Sequence, residues 1–443
     1  MLAGLRGQDV GLARPGTALA SVPADIAAGL RKPFFLVSIM VFMFVVGAVA
    51  FSRVPGVFVI SKVLGAILAV FFLVDSIRAG FALSAEVVLY VVWLVWCLAG
   101  LFSGAIPRVF LTYWTSAFQI WVLMLIISNF TMRRGGVSLV LLAFLIAVAI
   151  SGTASVLSGS FASGTPEERL TGLSRNANGF GRLMVYATFC MMYFWMLPTR
   201  SPMLGRGVLV VGMVLAAALT MLSGSRFSVL GLGLLYVLWL WYSYRETVRR
   251  NPRLFLKILL LAVIGGAAFV LYAQRSVVGG RLVATWDTLV TGTRTESSTL
   301  TRLKFYKIGF DYFKKSPLVG IGLGTFYAQV GQPAHSDLVE VAVGSGLPGI
   351  ILYYAIYLVA WRRAEKAYKH TREIWVLQTA GLIRAAIVVV VFLGLGGPNY
   401  YSKEVWILMG TCIGYTLVAW AHVRSAEAAV PARATARAPV LPA

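Results

Sequence analysis

The chain is poor in acid. Sixteen Asp and Glu stand against 39 Lys and Arg, with only three His and three Cys among 443 residues. Cys97, Cys190 and Cys412 each fall inside a hydrophobic run, and no C-x-x-C or Cys/His cluster occurs. That excludes a disulfide framework and a thiolate metal site, and leaves the three thiols as reduced packing residues. Charged residues of either sign make up 12% of the chain and hydrophobic ones 59%. A soluble domain of this length cannot cover so much apolar surface. No pair of matching broken spans relates the two halves, which argues against an inverted-repeat transporter. No cleavable signal peptide is expected. The first apolar run follows about thirty residues of mixed sequence and is too long for a signal h-region.

What the sequence does have is a series of apolar runs near 20 residues long. Each is enough to cross a hydrocarbon core of about 30 Å. Twelve spans are expected, near 34–51, 57–75, 81–102, 110–127, 136–157, 179–197, 206–222, 227–243, 254–272, 338–361, 374–394 and 403–421. The expected fold is an all-α, polytopic membrane protein. A net charge of +23 would suit nucleic acid, but its placement does not. Arg31-Lys32, Arg78, Arg133-Arg134, Arg200 and Arg206, the Arg245–Lys257 stretch, Arg362–Arg372 and Arg424 fall in alternate loops. By the positive-inside rule that side, with both termini, is cytoplasmic. No nucleic-acid partner is expected.

One basic segment lies on the other side. Residues 273–336 carry Arg275, Arg281, Arg294, Arg302, Lys304, Lys307, Lys314 and Lys315 against Asp287, Glu296 and Asp311. A cationic segment on the extracytoplasmic face needs a functional reason, and an anionic substrate supplies one. Within it, Leu303, Tyr306, Phe310 and Phe313 recur at helical spacing over Thr299–Lys315. That predicts an amphipathic helix lying on the membrane or capping the spans, apolar face down. Ser316-Pro317 stops it, and Gly320-Ile-Gly-Leu-Gly324 follows as flexible backbone. Asp337-Leu-Val-Glu340 reads as a capping box with Asp337 as N-cap. His335 then sits before a helix N-terminus, which attracts phosphate and disfavours a protonated imidazole. Gly344, Gly346, Pro348 and Gly349 predict a kink and close helix packing. The expected division is an N-terminal cytoplasmic segment (1–33), nine spans (34–272), the loop domain (273–336), three spans (337–421) and a disordered cytoplasmic tail (422–443).

Three short motifs carry candidate chemistry. Leu222-Ser-Gly-Ser-Arg226 is a tight loop whose arginine either snorkels at the interface or clamps an anion. Arg302, in Thr301-Arg302-Leu-Lys-Phe-Tyr306, is either a solvated face charge or points into a cavity. His335 is either structural or a proton acceptor. Glu86, Arg182 and Arg384 lie inside predicted spans, where charge is costly and often functional. Arg182 and Arg384 either line a lipid-phosphate groove or snorkel near span ends. Glu167-Glu168 reads as a solvated loop face, and Tyr400, Tyr401 and Lys403 as possible acceptor contacts.

In order, Gly224-Ser225-Arg226, Arg302-Leu-Lys-Phe-Tyr306, Gly320-Ile-Gly-Leu-Gly-Thr-Phe326, His335-Ser-Asp-Leu-Val-Glu340 and Gly346-Leu-Pro-Gly349 resemble the O-antigen ligase and polymerase superfamily. Leu173-Ser-Arg-Asn-Ala-Asn178 resembles an upstream Asn-x-Asn element of the same proteins. The resemblance implies a metal-independent, inverting glycosyltransferase of the GT-C type in the bacterial inner membrane, with its active site in the periplasmic helical loop. It implies a glycan donor on undecaprenyl pyrophosphate and, as acceptor, lipid A core for a ligase or a second lipid-linked repeat for a polymerase. It implies catalytic roles for His335, Arg226 and Arg302. Substrate contacts are expected from Ser225, Arg182, Arg275, Arg281, Arg294, Asn178, Tyr306 and Asp337. No cofactor is expected; no Asp-x-Asp occurs in an extracytoplasmic loop, so cationic side chains would replace a divalent ion. Ligases often carry Asn after the histidine, where this chain has Ser336, whereas the modest 158–178 loop fits a polymerase less well. Two rival classes remain: a lipid-linked glycan flippase, which should gather its ionisable groups at mid-membrane, and a non-enzymatic assembly scaffold.

Overall fold

The computed structural model describes residues 35–51, 58–157, 170–171, 173, 176–197, 205–250, 256, 277–291, 297–371 and 373–436. Its elements are helical throughout. In chain order they are α1 (Phe35–Ala50), α2 (Phe58–Ala79), α3 (Ala85–Cys97), α4 (Pro107–Thr131), α5 (Gly136–Leu157), α6 (Ala177–Met196) and α7 (Arg206–Leu222). There follow α8 (Arg226–Arg250), α9 (Val277–Trp286), α10 (Ser297–Lys315), α11 (Thr325–Val330), α12 (Asp337–His370), α13 (Ile374–Gly394) and α14 (Lys403–Ala436). A short 3₁₀ turn, Leu98–Phe102, extends α3.

Among the described residues eight helices are long and apolar enough to cross a membrane, rather than the twelve expected from sequence. Three of the missing four are present as helices. α1 and α7 have 16 and 17 residues, so each reaches only about 24–26 Å. α6 has 20 residues but opens on Asn178 and Arg182 and is buried along most of its length, an interior helix. The span expected at 254–272 lies outside the described residues except for its approach at Leu256. The outward face of α2 shows why the bundle belongs in lipid. Val59, Val63, Ile67, Val70, Leu73 and Ile77 recur at three- to four-residue spacing, and all are exposed. This is a multi-pass, all-α membrane protein. The 422–443 tail, expected to be disordered, is helical as far as Ala436. Its alanine-rich sequence prolongs a helix that is already nucleated.

α12 is the central strut, packed on α3, α13 and α14, while α13 packs on α8. It is broken where the glycines and proline predict. Gly346 has φ 68°, ψ −171°, and a Cβ there would overlap Leu318 O. The backbone groups freed by the break are taken up by neighbours. Val343 O accepts from Ile321 N–H at 2.8 Å, and Leu347 N–H donates to Pro317 O at 2.8 Å. Ser345 O accepts from Trp96 Nε1 at 2.9 Å. No water in a bilayer core could do this, so the protein must. The Gly320–Gly324 run is therefore not a flexible linker. It is a fixed seam between the α12 kink and the 98–105 turn, with the Ser103 hydroxyl bonded to Gly320 O.

The amphipathic helix α10 also differs from expectation. The face against the protein is Phe305, Gly309 and Tyr312, with Phe305 and Tyr312 edge-on to Phe326 and Gly309 against Val339. Leu303 and Phe310, expected beneath it, are exposed. Both faces of α10 are apolar, so periodicity alone does not choose between them.

Ion pairs mark the end of the bundle away from α10. Glu86, fully buried at the start of α3, meets Arg363 at 2.9 Å. His422 meets Glu373 at 2.7 Å, and Arg133 meets Asp75. Arg384 lies there too, with Tyr242, Trp361 and Tyr368 rings 4.1, 4.8 and 5.1 Å from its guanidinium carbon and Glu365 at 3.9 Å. An aromatic box, neither a groove nor the interface, holds this arginine.

Candidate functional site

The other end gathers the sequence motifs. The α7–α8 turn is closed by Gly224, at φ 62°. Ser223 donates to Thr220 O at 2.6 Å, and Ser225 Oγ lies 2.8 Å from Ser228 Oγ. The turn thus puts Arg226 at the first position of α8, 8% exposed. Its Nη1 donates to Arg281 O at 3.3 Å, to Thr299 Oγ1 at 3.2 Å and to the Thr285 hydroxyl. Arg281 returns the contact, Nη1 donating to Gly224 O at 3.1 Å. The guanidinium of Arg302 lies over the Phe227 ring at 5.2 Å. Arg226, Arg281 and Arg302 together with Asn178, Gly224, Ser225, Phe227 and Gly396 line one narrow cleft.

A fourth arginine borders this cleft. Arg182 on α6 donates from Nη1 to Gly397 O at 3.3 Å and to Asn399 Oδ1 at 3.2 Å. Asn399 in turn gives its backbone N–H to Asp337 Oδ1 at 2.7 Å. His335 sits between these groups and α10, half-buried, its ring 6.4 Å from that of Phe305. It is the one non-glycine residue with positive φ (55°) among the described residues. A side chain seldom adopts that conformation unless surrounding contacts fix it. Burial, and then the positive charges of Arg302 and Arg182, hold its proton affinity below that of an ordinary histidine.

Residues 211–354 match the family model described as O-antigen ligase. This segment belongs to the O-antigen ligase superfamily. The match contains Arg226, Arg281, Arg302 and His335, while Asn178 and Gly396, which also line the cleft, and Arg182 beside it lie outside the match. No curated protein matches the chain. Among solved structures, one chain of a peptidoglycan synthase complex that coordinates polymerization and crosslinking aligns at 13% identity and a TM-score of 0.38. That alignment covers 76% of this chain and 96% of the other. Through this segment the chain resembles glycosyltransferase-like membrane enzymes that process lipid-linked glycans.

The expected site residues divide three ways. Arg226, Arg302, Arg281, Ser225 and Asn178 share the cleft, with Arg182 and His335 beside it. Arg275 and Arg294 lie outside the described residues, as do Glu296 and Glu167-Glu168. Tyr306 and Asp337 are placed differently. Tyr306 donates its hydroxyl to Leu395 O at 3.4 Å, tying α10 to the end of α13. Asp337 is 1% exposed, and its Oδ1 accepts from the N–H groups of Asn399 and Tyr400, at 2.7 and 3.1 Å. It braces the site rather than facing a substrate. It is also not the N-cap. Ser336 takes that position without a side-chain cap bond. Glu340 reaches past it to the Ala334 N–H, at 2.9 Å. A reach-back arm like that of a capping box is present, but it spans six residues rather than three, and the Asp337 carboxylate is committed elsewhere. The Asn-x-Asn element splits its roles. Asn176 caps α6, accepting from the N–H groups of Asn178 and Gly179, and Asn178 faces the cleft.

Sequence reasoning missed Thr285 and Thr299, which hold Arg226, and Asn399, which links Arg182 to Asp337. Each is a common residue in an unremarkable context, paired with a partner 59 to 217 positions away. A Gly396-Gly-Pro-Asn399 turn just after an apolar span was the available signal for Asn399.

Proposed function

We propose that the protein is an inverting, metal-independent glycosyltransferase that moves a glycan from undecaprenyl pyrophosphate to a membrane acceptor, as an O-antigen ligase acting on lipid A core. The single observation that supports this most is the arginine cleft beside a half-buried histidine whose proton affinity is lowered by burial and then by Arg302 and Arg182. Guanidinium groups bind the oxygens of a pyrophosphate bidentately and supply the countercharge a metal would otherwise give. The acceptor hydroxyl attacks the anomeric carbon opposite the pyrophosphate. A new glycosidic bond forms as the bond from that carbon to the pyrophosphate oxygen breaks, and one displacement inverts the configuration. His335, neutral at physiological pH, accepts the hydroxyl proton and later releases it to solvent. Arg226, Arg302 and Arg281 stabilise the charge gathering on the departing undecaprenyl pyrophosphate.

The loop charge asymmetry supports a bacterial inner-membrane setting with both termini cytoplasmic and this cleft periplasmic. A GT-C-type bundle of about twelve spans, with the 273–336 segment as its periplasmic helical domain, is consistent with the eight long apolar helices, three further helices and one span outside the described residues. Ser336, where ligases often carry Asn, favours a second reading: a polymerase that joins two lipid-linked repeats at the same cleft. Purified protein given labelled lipid-linked glycan and either lipid A core or a second lipid-linked repeat separates the two. A product on lipid A core supports ligation, and a lengthened lipid-linked glycan supports polymerisation. Transfer with neither, in protein that still binds donor, refutes both.

A further inference from the structure

Three tyrosines beside the His335 loop have no part in this mechanism. They are Tyr113 on α4, Tyr327 on α11 and Tyr401 in the turn between α13 and α14. The ring of Tyr113 lies 6.4 Å from that of Tyr327 and 5.8 Å from that of Tyr401. Tyr327 is 43% exposed, and the other two are half-buried. Tyr113 owes its place to Gly324. That residue has φ 75°, and a Cβ on it would run into the Tyr113 ring.

A buried chain of contacts connects these rings to His335. Tyr400, 1% exposed, packs 4.7 Å from Tyr401 and 6.4 Å from Tyr113. Its hydroxyl donates to Glu340 Oε2 at 3.2 Å. Glu340 Oε1 accepts from the N–H of Ala334, the residue before His335, at 2.9 Å. Asp337 holds the backbone of Tyr400 from below. One carboxylate therefore grips both the histidine loop and the aromatic cluster, and the cluster cannot shift without the loop. The arginines reach the site from α6, α8, α9 and α10. The tyrosines reach it from α4, α11 and the turn before α14.

In-line displacement needs the acceptor oxygen on the face of the anomeric carbon away from the leaving pyrophosphate. The acceptor therefore needs a site away from the cations. A sugar ring offers an apolar C–H face and a rim of hydroxyls. Half-exposed tyrosines offer rigid aromatic faces at low entropic cost. We propose that Tyr113, Tyr327 and Tyr401 form the wall on which the sugar ring of the acceptor stacks, and that Glu340 with Tyr400 fixes this wall to the His335 loop. The inference rests on the transferase reading above.

Steady-state transfer by the purified full-length protein, with acceptor and donor varied separately, tests it. Tyr327→Ala and Tyr401→Ala raise the acceptor KM about tenfold each and leave the donor KM unchanged. Tyr327→Phe and Tyr401→Phe keep the wild-type acceptor KM, because the ring face acts and not the hydroxyl. Glu340→Ala lowers kcat, and Glu340→Gln restores it, since the amide oxygen still accepts from Ala334. Wild-type acceptor KM in both alanine variants overturns the proposal. So does a rise in donor KM equal to that for acceptor, which would mark the rings as a contact with membrane lipid or a purely structural element. Arg226→Lys and the wild type in the same assay separate the two levels. Full transfer by Arg226→Lys removes only the anion clamp, whereas no transfer by wild-type protein that still binds donor sinks the transferase reading. Transfer by the wild type, with unaltered acceptor KM in the tyrosine variants, sinks only the aromatic wall.

Discussion

Replacing Arg226 by lysine keeps the charge and removes the geometry. In the folded protein the guanidinium is 8% exposed, and one of its nitrogens already serves Arg281 O, Thr285 and Thr299. The planar fork holds those acceptors in fixed directions while the guanidinium lines the cleft. A lysine ammonium is a single point with rotatable donors and cannot do both. Losing one preorganised donor to a developing oxyanion costs about 10²–10³ in rate, roughly 2.7–4 kcal/mol. The internal hydrogen bonds lost are worth about 1 kcal/mol each, against a typical folding free energy of about 5–15 kcal/mol. The variant should therefore fold and fail to turn over. Single-turnover transfer with purified protein gives the rate, and thermal unfolding with membrane abundance gives the control. A rate within about threefold of wild type, well inside the factor one donor supplies, would remove Arg226 from the chemistry and refute the anion-clamp account.

Five further outcomes follow from the same structure. Because burial and the charges of Arg302 and Arg182 lower the His335 proton affinity, transfer should hold steady from neutral pH down past the ordinary histidine range near 6.5 and fall only below it; a limb above that range contradicts the assignment. The same shift has a stability consequence. The unfolded chain binds this proton more tightly than the folded one, so His335 should cost stability as pH falls below about 6.5, and His335→Gln should flatten that part of a melting-temperature profile. Gly346→Ala places a Cβ against Leu318 O at positive φ, and should lose about 1–3 kcal/mol or more, seen as a lower melting temperature. Glu86→Ala strands Arg363 at the opposite end, and should cost about 3–5 kcal/mol while leaving the kcat of whatever folds unchanged. A cysteine at exposed Asp311 should react with an impermeant thiol reagent once the outer membrane is opened; labelling only after inner-membrane lysis reverses the topology.

Local features of this chain were legible in its sequence, and long-range ones were not. Gly346 and Pro348 announce the α12 break because glycine adopts a positive φ without strain and proline has no N–H to donate. Gly224-Ser-Arg226 announces a tight turn for the same reason. The order of those motifs carried the family. Asp337, by contrast, looks like a helix cap when read with its neighbours. Only the folded chain brings Asn399 and Tyr400, more than sixty residues on, against its carboxylate. α10 carries apolar residues on two faces, and the partner Phe326 decides which is buried. Arg384 reads as a functional intramembrane charge until Tyr242, Trp361 and Tyr368 are seen around it. Among the described residues eight long apolar helices stand where twelve spans were expected, because α1 and α7 are short and Asn178 and Arg182 open α6 with polar residues.

The most direct test of the account is a reconstitution with purified wild-type protein, labelled undecaprenyl-pyrophosphate-linked glycan and lipid A core, run with EDTA present and beside His335→Ala and His335→Gln. The account predicts a new glycosidic product of inverted configuration from the wild type, undiminished by EDTA. It predicts that both histidine variants lose about 10²–10⁴ in rate while still binding donor. Wild-type turnover by both variants, or labelled glycan carried across the bilayer with no bond formed, would contradict it.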